Sequence, residues 1–415
     1  MRARLLHLLL LPLVALSCSD FRLHTDGVVV SARTMDFNLD LQSTLEIVPR
    51  ATLIEEPLAK DCASCADYGW RNRYGFVGLN MLSLNVATDG LNEAGLSAAW
   101  LYLVGTTYPT PNTTDVRPVV TSVITYILGN YATVADVKSG LTKVQIAEPH
   151  PGVSKLLGTD SGFQSLPLHI AVHDAAGQSL VIEFIDGMVH MHDNPNGVMT
   201  NAPPLPTHLA SLASIDKRNA SLPGGYDSES RFLRLSLLND VVAQPYLAAT
   251  SYNASTPEQA SISAALHLID TVTIPAAALH NGGSTQFSVV RDHVQRKLYV
   301  KATQNQVLRV VDVGSLDFAD AGLRKSIPVT FGDWFVNITD DLLAATGHSK
   351  DMPPRSFVVA ALRSAPVKTQ LTTNAAGDQS HALTFALGTI VGMAMMAIVN
   401  AVVAKYRRYT YVSIQ

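Results

Sequence analysis

Residues Ala382 to Ala404 run for 23 positions without a charge, and that run sets the first constraint on how this chain can be organised. At about 1.5 Å per residue, a helix of this length crosses a hydrocarbon core of about 30 Å with some tilt. Lys405, Arg407 and Arg408 follow at once, which places the C-terminus in the cytosol by the positive-inside rule. Gly388 and Gly392 stand at the GxxxG spacing that lets two such helices approach. The other end carries a second apolar run with different flanks. Arg2 and Arg4 precede Leu5 to Leu16, and Ala15-x-Ser17 offers small residues for a signal peptidase. That run is too short to span a bilayer comfortably, so a cleaved signal is expected rather than a retained anchor helix.

The expected organisation is a signal peptide (1–17), an extracytoplasmic body (18–365), a polar stalk (366–381), a transmembrane helix (382–404) and a cytosolic tail (405–415). Four glycosylation acceptors, Asn112, Asn219, Asn253 and Asn337, all fall in the body. The tail holds two overlapping Tyr-x-x-apolar patterns at Tyr409 and Tyr411. They suit a protein of the cell surface or of endosomes and lysosomes. A net charge of -4 without a basic patch argues against a nucleic-acid partner.

Within the body, Phe21 and Leu23 alternate with polar residues, Asp26-Gly27 supplies a turn, and Val28 to Val30 are β-branched: a hairpin. Further strands are expected over 75–84, 96–104, 168–174, 179–186, 287–291 and 297–302, and helices over 119–130, 133–143, 229–241 and 257–269. Strands at both ends of the body with helices between them indicate an α+β layered domain rather than a βαβ alternation. No phosphate loop or dinucleotide fingerprint occurs, so no cofactor is expected.

The chain has 3 cysteines. Cys62 and Cys65, in an extracytoplasmic segment, are expected to form a disulfide. Zinc would need two further ligands at suitable spacing. His190 and His192 flank one residue on an expected strand, and His169 and His173 look buried; neither pair has a third partner, and no metal is expected. Cys18 is left as the odd thiol, directly after the expected cleavage site. Three readings stand: a lipidated cysteine, for which Leu16 makes a poor lipobox; an incidental thiol; and an N-terminal nucleophile whose own α-amine serves as base.

Several stretches bear on that choice. They are Cys18 with Arg33-Thr-Met-Asp36-Phe37, Asp89-Gly-Leu-Asn92-Glu-Ala-Gly95-Leu96, Gly197-Val-Met-Thr-Asn201-Ala-Pro203, Leu222-Pro-Gly-Gly with Ser230-Arg231-Phe232, and Thr285-Gln286-Phe287. In this order and spacing the body, from Cys18 to about Val313, resembles the choloylglycine hydrolase family, the bile-salt hydrolases and penicillin V acylases. The resemblance implies a four-layer αββα N-terminal-nucleophile sandwich with antiparallel sheets. It also implies hydrolysis of linear, non-peptide carbon–nitrogen amide bonds in N-acylated small molecules: bile-salt conjugates, fatty acyl amides or phenoxyacetyl-type amides.

The roles it implies run as follows. Cys18 is the nucleophile, and Arg33 beside it lowers the thiol pKa. Asp36 orients the α-amine. The Asn201 side chain and the backbone N–H of Tyr102 stabilise the oxyanion, each donor contributing roughly 3 kcal/mol. Arg231 supports the polar network. Tyr102 stands where many bile-salt hydrolases carry asparagine, which bears on substrate preference but not on a backbone donor. The stretch from Pro203 to Ser221 is shorter than in tetrameric members, so a homo-oligomer is left open. The competing reading is a membrane-tethered ectodomain that keeps the fold and binds without turnover.

Overall fold

A computed structural model of the protein describes residues 17–25, 28–56, 68–82, 87–149, 166–217, 219–242, 256–276, 278 and 283–344. The expected signal peptide up to residue 16, Cys62 and Cys65, Asn253, the expected stalk, the apolar run 382–404 and the expected tail lie outside the described residues. Among the described residues no helix is long and apolar enough to cross a membrane.

The chain divides into two compact units, residues 1–337 and 338–415. The first opens with β1 (Ser19–Thr25) and β2 (Val28–Phe37), paired as the alternation required, with Ser19 opposite Thr34. There follow β3 (Thr44–Val48), β4 (Leu53–Glu56), β5 (Tyr68–Arg71), β6 (Phe76–Asn80), β7 (Ala87–Asn92), β8 (Ser97–Tyr102) and β9 (Val119–Val120). Helices α1 (Val123–Asn130) and α2 (Val134–Leu141) lead to β10 (Gln145–Ile146), β11 (Leu168–His173), β12 (Ser179–Ile185), β13 (Met188–Asp193) and β14 (Val198–Met199). Helices α3 (Leu205–Ala213), α4 (Ser228–Val242) and α5 (Pro257–Asp270) come next, and β15 (Ser284–Asp292), β16 (Lys297–Ala302), β17 (Arg309–Asp312) and β18 (Lys325–Pro328) complete the unit. In the second unit the described residues form α6 (Thr339–Ala344).

Two antiparallel sheets carry the architecture. A six-stranded sheet runs β14-β1-β2-β15-β16-β17 and an eight-stranded sheet runs β13-β12-β11-β8-β7-β6-β3-β18. Helix α5 packs on β2 and β15, α4 on β1 and β14, and α1 on β7 and β8, so helices cover the outer faces and the inner faces meet. This is the α+β arrangement of antiparallel sheets that the sequence led us to expect. It explains why β2 is buried almost end to end: one face meets the opposing sheet and the other meets α5. Phe21, Phe76, Phe184, Phe232 and Phe287 are fully buried in the same core, each contributing roughly 1.5–3 kcal/mol by burial.

Local chemistry sets several boundaries. Thr133 and Asp136 form a reciprocal capping box at the start of α2. Thr256 caps α5, with Pro257 in the first turn where a missing N–H costs nothing. The helix expected from Val119 starts instead at Val123, because Val119 and Val120 pair in parallel with Gln145 and Ile146. Two adjacent β-branched residues fit that bridge better than a helical turn.

Candidate active site

Cys18 precedes β1 in the six-stranded sheet and is buried without a disulfide. Here its nitrogen is part of the Ser17–Cys18 peptide, an amide rather than an amine. The hairpin register brings β2 alongside, and Arg33 Nη2 lies 3.9 Å from Cys18 Sγ. The same guanidinium donates to Asp89 Oδ2 at 3.1 Å and to the Trp100 carbonyl, which pins it between the two sheets. Arg33 pulls the thiol pKa down, as its position suggested. Burial outweighs it, however, and in the uncleaved chain the thiol is held above its ordinary range, with Asp36 adding to the rise.

Asp36 is fully buried on the same strand. Its carboxylate accepts from Thr285 Oγ1 at 2.5 Å and from Thr34 Oγ1 at 3.1 Å, and Thr34 Oγ1 accepts from the Ser19 N–H at 3.1 Å. Thr285 reaches it because β15 bulges between Thr285 and Phe287, the irregularity that re-aims a side chain. Desolvation lifts Asp36 from an ordinary 3.8 to about 6, against the pull of Arg231 and the two hydroxyls. Its contribution to stability is therefore complete below pH 3.8 and lost as pH rises through about 6. We expect the uncleaved chain to lose about 2–3 kcal/mol of unfolding free energy between pH 4 and pH 7.5 relative to Asp36→Asn. Urea titrations read this difference, and parallel profiles would refute it.

Asn201 sits between the sheets with both ends of its amide assigned. Oδ1 accepts from Arg231 Nη2 at 2.7 Å, and Nδ2 donates to the Tyr102 carbonyl at 2.8 Å. An amide nitrogen has two hydrogens, and this contact uses one of them. The Leu103 N–H donates to Pro167 O at 2.8 Å, so Tyr102 and Leu168 form the non-hydrogen-bonded pair of the β8–β11 ladder. The backbone groups of Tyr102 accordingly face the side where Asn201 lies. Arg231, fully buried in α4, closes the arrangement. Nη1 donates to Cys18 O at 2.6 Å and to Ser19 Oγ at 2.5 Å, so one guanidinium joins the Cys18 backbone to the Asn201 side chain. His208 donates to Asn201 O across 2.9 Å; burial pushes this histidine down to about 4, so it is neutral near pH 7.

All six residues singled out in the sequence, Cys18, Arg33, Asp36, Tyr102, Asn201 and Arg231, thus converge. Cys18, Arg33, Asp36 and Tyr102 also line one pocket of about 430 Å³, part of it open to solvent. Met35, Phe37, Leu41, Met81, Trp100, Leu166 and Leu168 supply its apolar wall. Thr88, also in the lining, already donates its hydroxyl to Leu79 O at 3.0 Å. A thiol beside a guanidinium, an amide tied to the thiol's backbone through Arg231 and an apolar recess are together suited to acyl transfer.

Residues 18–324 match the family model of linear amide C–N hydrolases, choloylglycine hydrolase family, and the match begins at Cys18. The chain belongs to this family. Among curated members, a penicillin V acylase of Pectobacterium atrosepticum is 26% identical over 367 residues, covering 83% of this chain and 93% of that protein. A bile salt hydrolase/transferase of Clostridium perfringens is 23% identical over 254 residues, covering 54% and 72%. The solved penicillin V acylase of Agrobacterium tumefaciens superposes with a TM-score of 0.60 at 25% identity, covering 72% of this chain and 88% of that one. A conjugated bile acid hydrolase of Clostridium perfringens superposes equally well, with a TM-score of 0.60 at 18% identity, and shares the fold.

Some family motif residues turn out to hold the frame. Asn92 donates to the carbonyls of Leu128 and Tyr131 and accepts from the Ala94 and Leu96 N–H groups, clamping the β7–β8 turn to α1. Gly95 has φ +85, and a Cβ there would stand 2.3 Å from His293 O. Thr34, Ser19, Thr285, Asp89 and Arg291 have no role assigned from sequence, although Thr34, Thr285 and Asp89 lie inside matching motifs. His190 and His192 lie half-buried on β13, with His192 Nε2 3.4 Å from Glu183. His169 binds Glu183 and the Thr200 carbonyl instead. Among the described residues no cluster of potential metal ligands occurs.

Proposed function

We propose that the chain is cleaved between Ser17 and Cys18 and that the mature protein hydrolyses amides of apolar acyl groups through a thioester on Cys18. The observation that carries this reading is the placement of the Cys18 thiol beside Arg33 in the lining of one apolar recess, with Asn201 tied to the Cys18 carbonyl through Arg231. In the mature form the freed α-amine takes the thiol proton and sulfur attacks the acyl carbon. The oxyanion is held by Asn201 Nδ2 and the Tyr102 N–H. The amine then returns the proton to the leaving nitrogen as the C–N bond breaks. Water attacks the thioester, its proton passes to the α-amine, and carboxylic acid and thiol are released. Asp36, with its hydroxyl partners, is the counter-ion for the α-ammonium.

The pocket wall supports an unhydroxylated acyl group, in line with the penicillin V acylases among the relatives. A cholyl group would bring ring hydroxyls against methionine, leucine and phenylalanine, each unpartnered one costing about 1–3 kcal/mol. We therefore expect phenoxyacetyl and medium-chain fatty acyl amides to exceed glycocholate by on the order of 10²-fold in kcat/KM. Equal rates would redirect the reading to a bile-salt hydrolase.

The body is read as extracytoplasmic and tethered by the run 382–404. The sequence signals support this, as does the exposure of Asn112, Asn219 and Asn337. The deciding experiment is N-terminal sequencing and intact mass of protein from a eukaryotic secretory host, with glycosidase treatment. A free Cys18 terminus together with amide turnover supports the reading. A processed protein that binds acyl amides without turnover favours a binding ectodomain, and a terminus elsewhere removes the base.

A further inference from the structure

Behind Arg33 runs a chain of buried charges that the mechanism above leaves without a role. Asp89 on β7 accepts a two-pronged contact from Arg291 on β15, Nε at 2.9 Å and Nη2 closer still, and a single contact from Arg33 Nη1 at 3.1 Å. Arg291 Nη1 lies 3.4 Å from Asp20 on β1, and Asp20 lies 2.5 Å from His173 Nε2 on β11. Ser31 takes one contact from Arg291 at 3.1 Å and one from His293 at 2.9 Å. Arg33, Asp89, Arg291 and Asp20 are each no more than 1% exposed. The signs alternate across the seam between the sheets and end at Cys18.

The alternation has an electrostatic consequence. A carboxylate paired to Arg33 alone would cancel much of the field that Arg33 places on Cys18. Here Asp89 gives both oxygens to the fork of Arg291, the stronger bidentate geometry, and Arg33 holds only a share. We propose that Arg291 is a positioning residue: by neutralising Asp89 it leaves the positive charge of Arg33 directed at the Cys18 sulfur. The other groups facing that sulfur, Asp36, Arg231 and Tyr102, belong to the site itself, and neither substitution below touches them. The proposal rests on Cys18 acting as the thiolate nucleophile of the mature protein.

The test uses opposite signs. In mature full-length protein, the pH dependence of Cys18 alkylation by iodoacetamide, located by mass spectrometry, reports the apparent thiol titration independently of turnover. Arg291→Gln leaves Asp89 facing Arg33 and is expected to move that titration up by about one pH unit. Asp89→Asn keeps the hydrogen-bonding shape, removes the negative charge and is expected to move it down by about one unit. The double variant returns close to the parent, and the kcat/KM profile follows the same order. A purely structural role would lower activity at every pH without moving the titration, or move it the same way in both variants; either result overturns the proposal. Should Arg291→Gln fail to fold, an unmoved titration in Asp89→Asn does so alone. A protein that alkylates with the expected shifts but hydrolyses no amide sinks the amidase reading and spares this one.

Discussion

Cys18→Ala in the mature protein is expected to reduce amide hydrolysis by at least about 10⁴-fold, because it removes the thiol of the pocket and, with it, the thioester route. A sharper form of this experiment leaves the thiol in place. A chain whose cleavage is blocked keeps Cys18, Arg33 and Asn201 in the arrangement described, yet its Cys18 nitrogen is an amide and its thiol is held protonated by burial. It too is expected to be inactive to within the same factor. Progress curves for a phenoxyacetyl amide, run on cleaved and uncleaved protein side by side, read the outcome. Full activity in the uncleaved chain would mean that the α-amine is not the base.

The second large effect is expected at Asn201. Asn201→Ala removes the donor aimed at the developing oxyanion and should lower kcat by about 10²–10³-fold with little change in KM. The loss is kinetic, because an oxyanion donor acts on the transition state more than on bound substrate. Arg231 offers a consistency check. Its Nη2 holds Asn201 Oδ1 and its Nη1 holds the Cys18 carbonyl, so Arg231→Met combined with Asn201→Ala should cost less than the two effects multiplied, since both act through one amide. A KM effect without a kcat effect would reassign Asn201 to substrate binding.

Much of this site can be read along the chain, for definite reasons. Cys18 is marked by the small residues before it, and Arg33 and Asp36 by a hairpin register that depends only on strand alternation and a turn. Asn201 and Arg231 lie in stretches whose order and spacing match a family. Thr285 sits in such a stretch, yet its role hangs on a bulge that re-aims it onto Asp36, and a bulge leaves no mark in a period-two pattern. Asp89 and Arg291 read as ordinary strand residues. Their partnership, across 202 positions, requires β7 and β15 to lie in different sheets with their inner faces together.

The division follows from the range of the forces. Alternation, caps, turns and the unbroken apolar run are settled by neighbours a few residues apart, so the amino-acid order determined the hairpin, the helices and the motif residues without help from the fold. Desolvation and charge pairing act through space. Only the packed sheets could bring four alternating charges into one dry seam, lift Asp36 to about 6 and raise the Cys18 thiol above its ordinary range by burial.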